Sequence, residues 1–204
     1  MVEAARRILE SEGPAALSLR AVAREAGVSP AAPYHHFKDK TELVEAVAQG
    51  GWAVLTEAIL EARRSGDNPA EALMQIGLAY VNFARDNPAL YRVMYDQVRN
   101  RTAMAEDHKD PSSGFGQVQR ALVEAGADPD DGRELELATV ASWCAVHGLA
   151  EMCNFRDFEP LRQSMGDQAF LRGVLRHYGV FAADRATSHE PEGGGGATAS
   201  KAAG

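Results

Sequence analysis

The chain has 204 residues, enough for one medium domain or two small ones, and its 45% hydrophobic and 25% charged residues are those of a globular protein rather than a fibrous or disordered one. No apolar run approaches the roughly 18–20 residues of a membrane helix, no secretory h-region follows Met1, and two cysteines make no disulfide framework, so a reduced, cytoplasmic protein without membrane contact is expected. A formal net charge of −8, taken as a sum, argues against a nucleic-acid partner.

Alanine occurs 36 times and isoleucine three times, a balance that favours helix over strand, and no stretch alternates apolar with polar residues. The expected fold is all-α. Ala4, Ala5, Ile8 and Leu9 mark a first helix from Val2 to Glu12, closed by Gly13-Pro14. Ser18 is the expected N-cap of a second helix with Leu19, Val22, Ala23 and Ala26 inside, stopped by Gly27. Ser29-Pro30 is read as N-cap and N1 of a short third helix reaching about His36. Asp39 to Glu42 is a capping box that opens a long fourth helix through Leu43, Val47, Leu55 and Ile59, ending at Ser65-Gly66-Asp67.

Asn68-Pro69 starts a fifth helix that ends at Asn87, and Pro88 starts a sixth with Leu90, Tyr91 and Met94. Residues 102–114 read as a polar loop. Phe115, Val118 and Leu122 mark a seventh helix, stopped by Gly126 to Pro129. The eighth runs from about Asp130 to Cys153. Its stretch from Leu137 to Met152 is apolar nearly all round, so burial on more than one side is expected. The last helix, Gln168 to Arg185, carries a stripe of Phe170, Leu171, Val174, Leu175, Tyr178 and Phe181. Residues 187–204, with Gly193 to Gly196, read as a disordered tail.

The second and third helices, joined by Gly27-Val28-Ser29, have the lengths of a helix-turn-helix unit. Gly27 allows the positive φ of a sharp turn. Val28 is expected to plug the angle between the helices, and small Ala23 to let them cross closely. In such units the second helix enters the major groove with its N-terminal end first. Here that end offers Ser29, Ala31 and Ala32, then Tyr34 and His35. Alanine methyls can meet a thymine methyl, and Ser and His can bond a base or phosphate. The charge distribution permits this. Residues 51–186 carry −6 of the net charge, whereas residues 18–40 carry +2.

The run from Ala26 to Leu43 resembles the DNA-binding domain of TetR-family transcriptional regulators. In that family a Tyr-x-His/Tyr-Phe block ends the recognition helix and a Lys follows three residues after the Phe. Tyr34, His36, Phe37 and Lys40 stand at those places. The resemblance implies that Tyr34 and Lys40 hold phosphates and that Ser29 to His35 face the groove, with Ser18 and Arg20 at the start of the preceding helix completing the DNA-binding set. Trp143 to Gly148 resembles a Trp-x-x-x-His-Gly signature of one C-terminal domain class of the family. Pro33 departs from an ordinary recognition helix: it removes an amide, so a bent or 3₁₀-like element is expected.

With that resemblance, residues 1–50 are expected to bind a double-stranded DNA operator as part of a homodimer. Residues 51–186 would sense a small, largely apolar effector and dimerise through the helices Asp130–Cys153 and Gln168–Arg185. Repression relieved by the effector is the expected mode. Phe83, Tyr91, Met94, Tyr95, Phe115, Trp143 and His147 are the candidate effector-binding residues, with Trp52 and Met152 as further aromatic or Met candidates. His147 has two readings, a core histidine bonded to a carbonyl or a polar group lining a pocket. Cys144, His147 and Cys153 lack zinc-site spacing, and buried structural cysteine is expected instead. No nucleophile–base arrangement and no phosphate-binding glycine loop stands out, so neither an enzyme nor a cofactor is expected. The alternative class is a helical partner-binding protein that uses the helix-turn-helix as scaffold.

Overall fold

The structure, a computed structural model, describes residues 1–100, 110–153 and 155–178. Most of the predicted polar loop (101–109), the far end of the last helix (179–185) and the predicted tail (187–204) lie outside these residues. Among the described residues the chain is all-helical. Its helices are α1 (Val2–Glu12), α2 (Leu19–Glu25), α3 (Lys40–Ser65), α4 (Pro69–Asp86), α5 (Pro88–Asn100), α6 (Gly114–Glu124), α7 (Gly132–Met152), α8 (Glu159–Met165) and α9 (Asp167–His177), with 3₁₀ turns at Ala32–His35 and Arg156–Phe158.

The first helices form as their caps dictate. Ser18 Oγ accepts from the Ala21 amide at 3.1 Å and starts α2. Gly27, at φ +66°, ends it. The Val28 amide donates to the Ala23 carbonyl at 3.0 Å and the Gly27 amide to the Arg24 carbonyl at 3.2 Å, the paired bonds of a Schellman cap. Val28 itself is 41% exposed, so it does not plug the angle between the helices as expected. Pro33, in the turn that contacts α2, is the residue buried there.

The expected third helix is a single 3₁₀ turn, and Ser29 does not cap it. Pro33 explains why. An α-helical Pro33 would need to donate to the Ser29 carbonyl, has no N–H to do so, and would push its ring against that oxygen. The Ser29 carbonyl instead accepts from the Ala32 amide, three residues on, at 3.0 Å. The Pro33 carbonyl takes the amides of His36 and Phe37 at 3.0 and 2.9 Å.

The chain then enters α3, a helix of 26 residues. Asp39 Oδ1 accepts from the Glu42 amide at 3.0 Å and caps the helix, while Glu42 Oε2 reaches past the cap to accept from the Lys38 amide, one residue earlier, at 2.6 Å. Leu43, Val47 and Ala48 bury against α1. Leu55 and Ile59 bury in the bundle of α4, α5 and α6. By length and hydropathy α3 also satisfies the requirement for a membrane span, which the absence of a long apolar run had not suggested. Glu45, Gln49 and Glu57 interrupt its apolar residues, and it packs against four other helices as the shared core helix.

Two elements differ from expectation in which face they bury. Helix α7 buries Thr139, Ser142, Ala145, Val146 and Leu149 but leaves Leu137, Val140 and Met152 at 57%, 42% and 45% exposure, with Cys144 also exposed. It is covered on one side, not several. Helix α9 does the reverse: Phe170, Leu171 and Leu175 are buried against α4 and α7 within the same chain. Arg172 Nη1 donates to both Glu71 carboxylate oxygens at 2.9 Å and helps dock α9 on α4. The segment between α7 and α9 forms α8, a helix the apolar spacing did not reveal.

Adjacent glycines in the middle of α3 are used differently. A Cβ on Gly51 would lie 2.5 Å from Met94 Sδ and 3.0 Å from Leu90 Cδ1, both fully buried. A Cβ on Gly50 would meet only Val2 Cγ1, at 3.5 Å. Gly51→Ala is therefore expected to lower stability by about 1–3 kcal/mol through overpacking. Gly50→Ala should raise it by about 0.5–1 kcal/mol through helix propensity. Urea unfolding of the two variants measures both signs, and equal effects would refute the assignment.

Candidate nucleic-acid interface and aromatic cluster

The N-terminal candidates lie on the surface around the 3₁₀ turn. Ser18, Arg20, Ser29, Ala31, Tyr34, His35 and Lys40 are exposed, Tyr34 at 53%, and Ala32 is half-buried. Phe37 belongs to the core, at 9% exposure, with the exposed His36 ring 6.3 Å from it. Lys40 Nζ donates to the Pro14 carbonyl at 3.4 Å, which brings the start of α3 beside the loop that leads into α2. The arrangement puts Lys40 and the capped end of α2 at one edge. The turn presents its hydroxyl and imidazole groups to solvent. Arg24 and Lys38 are exposed in the same region.

The second constellation sits where α3, α4, α5, α6 and α7 meet. Tyr80 Oη of α4 is its hub: it bonds Tyr91 Oη at 3.1 Å, bonds Tyr95 Oη, and lies 3.5 Å from His147 Nδ1. Tyr91 Oη is 2.5 Å from His147 Nδ1. Trp143 Nε1, which can only donate, donates to Tyr95 Oη at 3.0 Å. One proton order gives every donor in this chain an acceptor: Trp143 to Tyr95, Tyr95 to Tyr80, Tyr80 to Tyr91, and Tyr91 to Nδ1 of His147. Trp52 of α3 closes the cluster, with its ring edge-on to Tyr95 at 5.4 Å and stacked on Trp143 at 6.2 Å.

Of the predicted effector residues, the fold therefore gathers Tyr91, Tyr95, Trp143 and His147. Phe115 sits beside them, 6.1 Å from Trp143. Met94 packs instead at the Gly51 contact between α3 and α5, and Phe83 is buried in the core of α4. Tyr80 was missed. Its sequence signal was a tyrosine on a helix face otherwise reserved for the core, which needs a buried partner for its hydroxyl. His147 is bonded to tyrosine rather than to a carbonyl at Nδ1. The cysteines split, with Cys144 exposed and Cys153 buried, so the expectation of burial is corrected for Cys144. Among the described residues no group of three or more His, Cys, Asp or Glu is placed to hold a metal.

Beside the cluster, Tyr80, Trp143, Ile59, Ile76, Val118 and Val146 border a cavity of about 10 Å³, room for about one water. Burial pushes the hydroxyls of Tyr80 and Tyr91 well above the ordinary tyrosine range. It pushes Tyr95 up to about 12, partly offset by its bonds with Tyr80 and Trp143. The folded cluster thus keeps protons that the unfolded chain releases near the ordinary value of about 10. Its stabilisation is complete below that pH and is lost as pH rises, by up to about 1.4 kcal/mol per pH unit for each tyrosine still protonated. Urea midpoints between pH 8 and 11 should fall accordingly, and a flat profile would overturn this account.

Residues 1–47 match the family described as bacterial regulatory proteins, tetR family, and residues 73–178 match the tetracyclin repressor-like C-terminal domain. The HTH-type transcriptional regulator BetI of Rhizobium meliloti (strain 1021) is 28% identical over 102 residues, 48% of this chain; the chain spans about half the length of that curated relative. A protein of unknown function from Rhodococcus sp. RHA1 is 27% identical with a TM-score of 0.67, covering 88% of this chain and 90% of its own. A transcriptional regulator from Streptomyces coelicolor, SCO7222, is 23% identical with a TM-score of 0.62, covering 90% and 97%, a likeness of fold. The chain belongs to the TetR family of bacterial regulatory proteins.

Proposed function

We propose that the chain is a cytoplasmic, homodimeric transcriptional repressor that binds a near-palindromic DNA operator and releases it when a small, largely apolar effector enters the aromatic cluster. Membership in a family of regulators rather than enzymes supports the first half of this reading. The observation that carries the second half is the path of α3. Its first turn holds Lys40 beside the loop that leads into α2, five residues after the end of the recognition turn, and twelve residues later Trp52 contacts Tyr95 and Trp143. An effector that displaces Tyr95 or Trp143 removes the rings on which Trp52 packs and so biases the helix that carries Lys40. DNA affinity then falls by the coupling free energy, typically about 1–3 kcal/mol.

The exposed face of α7 supports the dimer. Leu137, Val140, Ala141, Cys144, Gly148 and Met152 recur at helical spacing along the side that the chain leaves open. A two-fold axis across this face would pair it with itself and set two recognition turns about 34–36 Å apart. Helix α9 has Phe170, Leu171 and Leu175 covered within the chain, so what it offers a partner is Tyr178 and the edge at Val174. The DNA-facing set is Ser18, Arg20, Ser29, Ala31, Ala32, Tyr34, His35 and Lys40, with Tyr34 and Lys40 on phosphates.

Two measurements test this. Lys40→Ala should weaken binding to every duplex alike and reduce the slope of log affinity against log salt by about one; an unchanged slope removes Lys40 from the phosphate contacts. Val140→Glu should convert the dimer to monomer in sedimentation and cost operator affinity while leaving the helical content intact. A Val140→Glu dimer would move the interface away from α7.

A further inference from the structure

We propose that this protein reads its operator chiefly through thymine C5-methyl groups, with Ala31 as the reader. The proposal deepens the operator-binding reading above and rests on it. Between Gly27 and Phe37 there is no Arg, Lys, Asn or Gln. Those are the side chains that grip guanine or adenine with two hydrogen bonds in the major groove. The exposed groups at the leading end of the turn are the Ser29 hydroxyl, the Pro30 ring and the Ala31 methyl, with Tyr34 and His35 at its far end. Ala32 is half-buried and Pro33 is buried, so Ala31 carries the more exposed of the two alanine methyls.

The backbone reinforces this. Ala31 sits at φ −84°, ψ −24°, immediately before the 3₁₀ turn, and its carbonyl is bonded to the Tyr34 amide at 3.1 Å. Its side chain is a single methyl on a pinned backbone. Such a group offers a base edge apolar contact and no hydrogen bond. The one major-groove feature of an unmodified base pair that rewards such contact is the C5-methyl of thymine. The nearby cations, Arg20, Arg24, Lys38 and Lys40, lie on α2 and around the start of α3, which face the backbone in helix-turn-helix docking. They supply affinity and register rather than sequence. One consequence is that 5-methylcytosine, which carries a methyl at the same ring position, should be read in part as thymine.

The test begins with selection of binding sites from random duplexes by the full chain at fixed salt. Each thymine in the selected site is then replaced by uracil, which deletes the methyl and nothing else. At one position in each half-site, uracil should weaken binding by about four-fold, the value of one buried methyl, and by about fifteen-fold when both half-sites carry it. Cytosine to 5-methylcytosine at the same position should recover a similar factor. In Ala31→Gly the thymine-to-uracil ratio should fall toward one, and because it is a ratio within one protein it is insensitive to any loss of folded fraction. Uracil tolerated within two-fold at every position overturns the proposal, and so does a ratio that persists in Ala31→Gly. Failure to enrich any site overturns the operator reading itself, so the two failures are distinct.

Discussion

One helix has to satisfy two packing problems at once, and the remaining architecture follows from that constraint. The first turns of α3 complete the small core made by α1, α2 and Pro33. Its later turns complete the bundle of α4 to α7. At 26 residues it is about 39 Å long. It meets α5 closely at Gly51, where Met94 and Leu90 occupy the space a side chain would need. A tilt of roughly 5° about that contact would displace an end about 20 Å away by roughly 2 Å, the scale on which packed interfaces switch rather than deform.

Placing a polar chain of five residues in the middle of this bundle looks costly, since buried hydroxyls lose their water. The cluster offsets the cost by being complete along its length. Each hydroxyl both gives and receives, and the chain ends on an imidazole nitrogen that can accept. A satisfied network of this kind constrains ring orientation in a way that Leu and Phe alone do not, because removing or turning one ring leaves its neighbours unpaired. It also makes the bundle interior responsive. An entering molecule must replace specific hydrogen bonds, not only fill space.

Local signals were legible where chemistry is local. Ser18, Asp39 and Asn68 cap the helices they were expected to cap, and Gly27 turns where it must. The all-helical fold follows from composition and spacing, whereas the block from Tyr34 to Lys40 stands out only through its resemblance to the family. Pro33 foretold a bent or 3₁₀-like recognition element, because the missing N–H is local; that Pro33 rather than Val28 is buried is a tertiary fact. Burial faces were less legible. An all-round apolar helix such as α7 looks the same whether its second face meets its own chain or nothing in it, and nothing in the spacing of α9 tells that Phe170, Leu171 and Leu175 are covered by its own chain while Tyr178 is exposed. The hydroxyl network was hidden for a further reason. It joins residues 80, 91, 95, 143 and 147, and their meeting depends on how α4, α5 and α7 cross. Separation in the chain carries no trace of that.

The shortness of the Ala32–His35 turn limits how much information the protein can take from DNA. With Ala31 before it, the turn has five residues that at about 2.0 Å rise span roughly 10 Å, or about three base pairs at 3.4 Å each. Two half-sites then specify about six base pairs directly, a pattern that recurs by chance about once per four thousand base pairs. Direct reading cannot pick out one promoter in a bacterial chromosome. The remaining discrimination must come from the fixed distance between the half-sites and from the deformability of the base pairs between them. For such a regulator, the geometry of the dimer is part of the code.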